Sequence, residues 1–99
     1  MADWGRFSMR QRVQVFYSGH VQGVGFRYTV KSLARGFEVT GIVRNLTDGR
    51  VEMVAEGIKE ELEGFLQAIR ESEVGGFIRN EQAAWQAASG EFRGFEITR

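Results

Sequence analysis

The sequence contains no cysteine, so disulfides, thiolate nucleophiles and cysteine metal sites are excluded. A reducing, cytoplasmic location is expected. It contains a single histidine, His20, which leaves no material for a histidine metal cluster or for a conventional Ser-His-Asp triad within one chain. It has no net charge, with 13 basic and 13 acidic residues. Nucleic acid and anionic membrane surfaces are therefore not expected as partners, because both call for a basic excess. No apolar run of about 18 residues is present to span a membrane. Residues 1–11 lack the apolar stretch of a secretory signal and show no period, so a loose leader is expected there. What remains is 99 residues, 42% hydrophobic and 26% charged, ordinary for one globular domain, assigned to residues 12–99.

The rest of the chain is arranged around Ser18-Gly19-His20-Val21-Gln22-Gly23-Val24-Gly25-Phe26-Arg27. Val13, Val15 and Tyr17 alternate with polar positions and run into it as a strand. Phe26, Val30, Leu33, Ala34 and Phe37 follow at offsets 0, 4, 7, 8 and 11, one face of a helix, with Gly36 as its stop. A glycine-rich turn between a strand and a helix start can aim backbone N–H groups at an anion. Arg27 adds a planar cationic fork suited to phosphate. The structural alternative is a plain tight connection. Three glycines and an arginine at the helix start weigh for the anion cradle, with Val21, Gln22, Gly23, Val24, Gly25 and Phe26 supplying its backbone.

Val39 to Asn45 reads as a second strand, Thr47-Asp48-Gly49-Arg50 as a hairpin turn and Val51 to Glu56 as the returning strand. Ile58, Leu62, Phe65, Leu66 and Ile69 repeat the helical offsets of the first helix, and Glu60 and Glu61 suit its positive end. After Gly75-Gly76, Phe77 to Ala88 is ambiguous, because its alanine and glutamine content favours helix. A helix crossing a sheet needs a strand to return to, so this segment is assigned as a strand, followed by a last short strand ending at Ile97. The order is β-α-β-β-α-β plus a terminal strand. This is an α+β ferredoxin-like sandwich, two helices on one face of a mainly antiparallel sheet. Trp85 and Phe95 are expected in its core.

Other glycine loops fail. A Walker loop needs glycine-lysine where Val24 and Gly25 stand, and the dinucleotide pattern meets Tyr28 at its third glycine. Arg35-Gly36-Phe37 opens like an RNA-contact motif but breaks off at Glu38 and sits at a helix end. Asn45, before the hairpin turn, suits either a turn cap or an amide that holds a water. His20 is expected to be a solvated neighbour of the loop.

Together these residues resemble the acylphosphatase family. Gly19-His20-Val21-Gln22-Gly23-Val24-Gly25-Phe26-Arg27 fits its loop, G-x-V-Q-G-V-x-F-R. Gly41-Ile42-Val43-Arg44-Asn45-Leu46-Thr47-Asp48-Gly49-Arg50-Val51 fits its second motif, G-x-V-[RK]-N-x-x-D-G-x-V. The chain departs from the pattern at Glu38, where the family usually has glycine, and at Ile42, where it usually has tryptophan. It also has no proline before the fourth strand. A left-handed Glu38 would cost about 1 kcal/mol, unless the helix stop has moved to Gly36.

The resemblance implies hydrolysis of small acyl phosphates to a carboxylate and inorganic phosphate, which also acts as an inhibitor. It implies no metal, no cofactor and no covalent intermediate. By residue-wise transfer, Arg27 and the cradle N–H groups hold the phosphoryl oxygens and Asn45 positions the attacking water. A monomer is expected. The rival reading is a non-catalytic ferredoxin-like module that binds an anion or a protein.

Overall fold

The computed structural model describes residues 10–99. The leader expected over 1–11 lies outside the described residues except for Arg10 and Gln11, which begin strand β1, Arg10–Gly19. Alternation places Val13, Val15 and Tyr17 on one buried side of β1. Helix α1 spans Phe26–Ala34 and buries Phe26, Val30 and Ala34. Strands β2, Thr40–Asn45, and β3, Val51–Ile58, form the hairpin turned by Asp48-Gly49. Helix α2, Lys59–Glu71, buries Leu62, Phe65, Leu66 and Ile69, and its first turn carries Glu60 and Glu61. A short 3-10 turn, Gly75–Phe77, leads into β4, Ile78–Ala87, so the ambiguous segment is a strand. Strand β5, Phe95–Ile97, follows.

The sheet order is β4-β1-β3-β2-β5, antiparallel throughout except for the parallel β2–β5 pair. This is the expected ferredoxin-like sandwich. Both helices cover one face, and the core between them and the sheet closes on Phe65, which meets Phe95 edge-on at 5.5 Å and Phe37 at 5.8 Å. Tyr17 lies under the start of α1, its ring 5.0 Å from that of Phe26. Burial pushes the ionisation of its phenol up.

Phe95 is a core residue as expected, but Trp85 is not. It stands opposite Val13 on the helix side of the sheet, yet 39% of it is exposed. The helices rest on β1, β2, β3 and β5, and the outer strand β4 extends past their cover. The other face of the sheet is roofed by side chains and a loop. Glu52 accepts from Gln14 Nε2 at 2.6 Å and Arg44 Nε at 2.7 Å, and Arg50 lies over Phe16 at 4.6 Å. The chain from Ala88 to Gly94 crosses from β4 to β5 and docks on Glu56. The central strand β3 is thus buried on both faces, which single-face alternation did not foretell.

Glu38 causes no strain, because no residue other than glycine has positive φ among the described residues. Gly36 is not left-handed either. The chain unwinds after Ala34 through three tightened bonds, Arg35 N to Ser32 O, Gly36 N to Leu33 O and Phe37 N to Ala34 O, and Glu38 N then donates to Glu61 Oε1 at 2.7 Å. Ile42 packs opposite Val54.

Candidate active site

At the end of the sheet where β1 meets the start of α1, the chain turns through residues 20–25. Gly23 and Gly25 hold φ of 82° and 81°, a left-handed region that side chains with a Cβ resist. Gly25 caps α1 through its backbone alone: its carbonyl accepts from Thr29 N at 3.0 Å, and no side chain caps the helix. The first turn of α1 carries no acidic residue. Its N–H groups and the positive end of the helix dipole are therefore left for an external anion, unlike those of α2.

Beside this turn lies a cavity of about 240 Å³. Val21, Gly23, Gly25 and Phe26 line it from the cradle, and among the described residues Arg27 is its only ionic side chain. Asn45, the last residue of β2, lines it from across the loop. The structure thus brings Arg27 and Asn45, far apart in sequence, to one cavity. Asn45 Oδ1 is shut off from solvent and has no hydrogen-bond partner among the described residues. An acceptor in that state lacks the partner that buried polar groups ordinarily have.

Gln22 and Val24, the other expected cradle residues, do not line the cavity. Val24 packs against the core. Gln22 sends its side chain to the hairpin, where Nε2 donates to Leu46 O at 2.8 Å and to Arg50 O at 2.9 Å. Leu46 follows Asn45 directly, so this amide ties the cradle to the strand end that carries Asn45. The hairpin is itself closed by Leu46 N to Arg50 O and by Asp48, which accepts from the Arg50 N–H and guanidinium. Those bonds hold the Asp48 carboxyl below the ordinary aspartate range. His20 is exposed, as expected, with its ring 5.8 Å from that of Phe77.

Sequence reasoning missed three contributors. Tyr28 and Ile97 complete the cavity wall, and the Gln22 side chain braces it. Tyr28 adjoins Arg27 and was legible as a neighbour. Nothing in the sequence ties Ile97 to the cradle, because the parallel pairing of β5 with β2 puts it there. A larger depression of about 400 Å³ opens at the β4 margin between Arg70, Gly75 and Glu81. Arg70 and Glu81 already pair there at 2.9 Å, Arg79 also lines it, and neither Arg27 nor Asn45 reaches it. Among the described residues no three histidine or carboxylate side chains gather as a metal site, and no helix is long and apolar enough to cross a membrane.

Known proteins resemble this chain in sequence and fold. The acylphosphatase family model matches residues 13–97. The acylphosphatase of Nocardia farcinica is 40% identical over 85 residues, which are 86% of this chain and 85% of that protein. The crystal structure of acylphosphatase from Bacillus subtilis superposes with a TM-score of 0.83 at 30% identity, covering 90% of this chain and 99% of that one. A full-length HypF structure in its phosphate- and nucleotide-bound form matches at 28% identity and TM-score 0.79, but there the likeness covers only 12% of the larger chain.

Proposed function

The chain belongs to the acylphosphatase family, and from that premise we propose that Arg27 and the cradle N–H groups grip the phosphoryl group of an acyl phosphate while Asn45 holds the attacking water. The activity itself is hydrolysis of acyl phosphates, and a non-catalytic module is not favoured. The observation that supports the division of roles is Asn45 Oδ1, buried and without a partner among the described residues, in a cavity to which those residues bring one charge, Arg27.

The chemistry asks little else of the protein. Phosphoryl transfer through a loose transition state is helped mainly by positioning and by stabilising charge on the equatorial oxygens. Arg27 and the N–H groups at the start of α1 supply that stabilisation. Water oxygen bonds to phosphorus as the bond from phosphorus to the acyl oxygen breaks, and that electron pair leaves on the carboxylate. The carboxylate is a good leaving group and needs no general acid. The water proton passes to an oxygen of the substrate's own phosphoryl group. The products are a carboxylate and inorganic phosphate, which returns to the cradle as an inhibitor. No metal ion takes part in this scheme. The catalytic residues all come from one chain, consistent with a monomer, and the cysteine-free composition is consistent with the cytoplasm.

Phosphate release from acetyl phosphate and benzoyl phosphate, measured with EDTA present, tests the scheme. Turnover is expected with both. No turnover by the folded protein removes the enzymatic reading, and turnover that EDTA abolishes removes its metal-free part.

A further inference from the structure

The phosphoryl cavity does not end at the cradle. Tyr28 and Ile97 also line a second cavity of about 180 Å³, whose wall includes Lys31 and Arg35. Lys31 and Arg35 in turn line a third, of about 220 Å³, floored by Phe95 and Val39. The three share walls in sequence and form one groove between α1 and the edge strand β5. Its direction follows from the fold. Helix α1 starts at the cradle and runs away from it, so Lys31 and Arg35 stand about 6 and 12 Å further along the axis than Arg27. Strand β5 runs parallel to β2, so Ile97 lies at the cradle end and Phe95 at the far end.

The groove has an apolar floor and a cationic wall. Tyr28, 75% exposed, is a large apolar ring held in solvent at the junction with the phosphoryl cavity. Lys31 faces one acid, Glu96 on β5, at a loose 3.6 Å, with Glu96 largely in solvent and Lys31 partly so. A pair this long and this exposed adds little stability, so another anion can compete for Lys31 at small cost. Arg35 makes no ion pair among the described residues.

Building on the acyl phosphate reading above, we infer that this groove is an acyl-group subsite, and that the chain prefers acyl phosphates whose acyl part is extended and carries a second anionic group. The phosphoryl group sits in the cradle, the methylene chain lies along Tyr28 and Ile97, and the distal anion meets Lys31 or Arg35, displacing Glu96.

Initial rates with matched substrates test this. Glutaryl phosphate carries a distal carboxylate, 4-phosphonobutanoyl phosphate a distal phosphonate on the same number of methylenes, and pentanoyl phosphate neither. The expected result is kcat/KM about fivefold higher for the anionic substrates than for pentanoyl phosphate, an advantage that 0.5 M salt removes. Preference between the two anions tells a carboxylate from a phosphate-type partner. Lys31→Gln and Arg35→Gln should each reduce the ratio of anionic to neutral substrate, and Glu96→Gln should raise it. Loss of a helix-terminal charge alone would lower stability without moving that ratio. A ratio near one in the parent protein, or one unchanged in all three variants, overturns the inference while acetyl phosphate turnover still stands. Failure on acetyl phosphate as well withdraws the underlying reading with it.

Discussion

Gln22 Nε2 donates to the carbonyl of Leu46 at 2.8 Å, the residue directly after Asn45, and the same nitrogen reaches Arg50 O at 2.9 Å. One amide thereby ties the loop proposed to hold the phosphoryl group to the strand end proposed to hold the water. Gln22→Ala should lower kcat about 10- to 100-fold, because small misplacement of an attacking group is costly, while inhibition by inorganic phosphate stays nearly the same. Gln22→Glu should not rescue it, since a carboxylate cannot donate to two carbonyls. Steady-state kinetics with phosphate as inhibitor decide; an equal loss of phosphate affinity would show that the amide shapes the cradle instead.

Arg27 is the only ionic side chain that the described residues bring to the cavity. Arg27→Ala should cut kcat/KM by about 10³-fold or more and weaken phosphate binding, because the charged donors for the transition state are gone. Arg27→Lys should recover only a minor part, as a point charge does not reproduce the planar fork. Retained phosphate affinity in Arg27→Ala would contradict the assignment.

Asn45→Ala should act differently. With its buried Oδ1 removed, the water loses its acceptor, and kcat should fall about 10²- to 10³-fold with the phosphate inhibition constant preserved. If phosphate affinity falls as far as in Arg27→Ala, the two residues do not divide the work as proposed.

Glu56 is expected to set the acid limit of the fold. It is fully buried, which by itself pushes its carboxyl up. The N–H groups of Ser89 and Gly90, the Arg12 guanidinium and the Ser89 hydroxyl outweigh this and pull it down to about 2. A carboxyl depressed in the folded state contributes stability that is full above its ordinary value near 4.5 and is lost as pH falls towards 2. Glu56→Gln should cost about 2 kcal/mol near neutral pH and flatten the loss of stability between those two values. Urea midpoints measured across that window check both; a variant with the parent's acid slope would assign the slope to other carboxylates.

His20 is exposed and outside the cavity wall. His20→Ala should change kcat/KM by less than about threefold, in line with a surface substitution. A drop of two orders of magnitude in the same assay would place the imidazole in the reaction.

The two motifs carry most of the site in readable form because each works through neighbours in the chain. Glycine at 23 and 25 permits a backbone turn that few other residues take, and a helix starting at Phe26 follows from its apolar spacing. Arg27 and Asn45 were legible for the same reason, one in the first turn of a helix and one at the end of a strand. The helical and strand periods likewise disclosed the element order, since they depend on residues within about four positions. Tertiary structure alone decided what depends on contacts between distant segments. Trp85 is half-exposed because β4 is the outermost strand, which no local pattern encodes. Glu56 is buried because the chain from Ala88 to Gly94 crosses the open sheet face above it. Gln22 faces the hairpin and Ile97 the cradle because β1 pairs with β3 and β5 with β2. Local periodicity acts along the chain, whereas these positions follow from strand order, which is set only when the whole apolar face is buried at once.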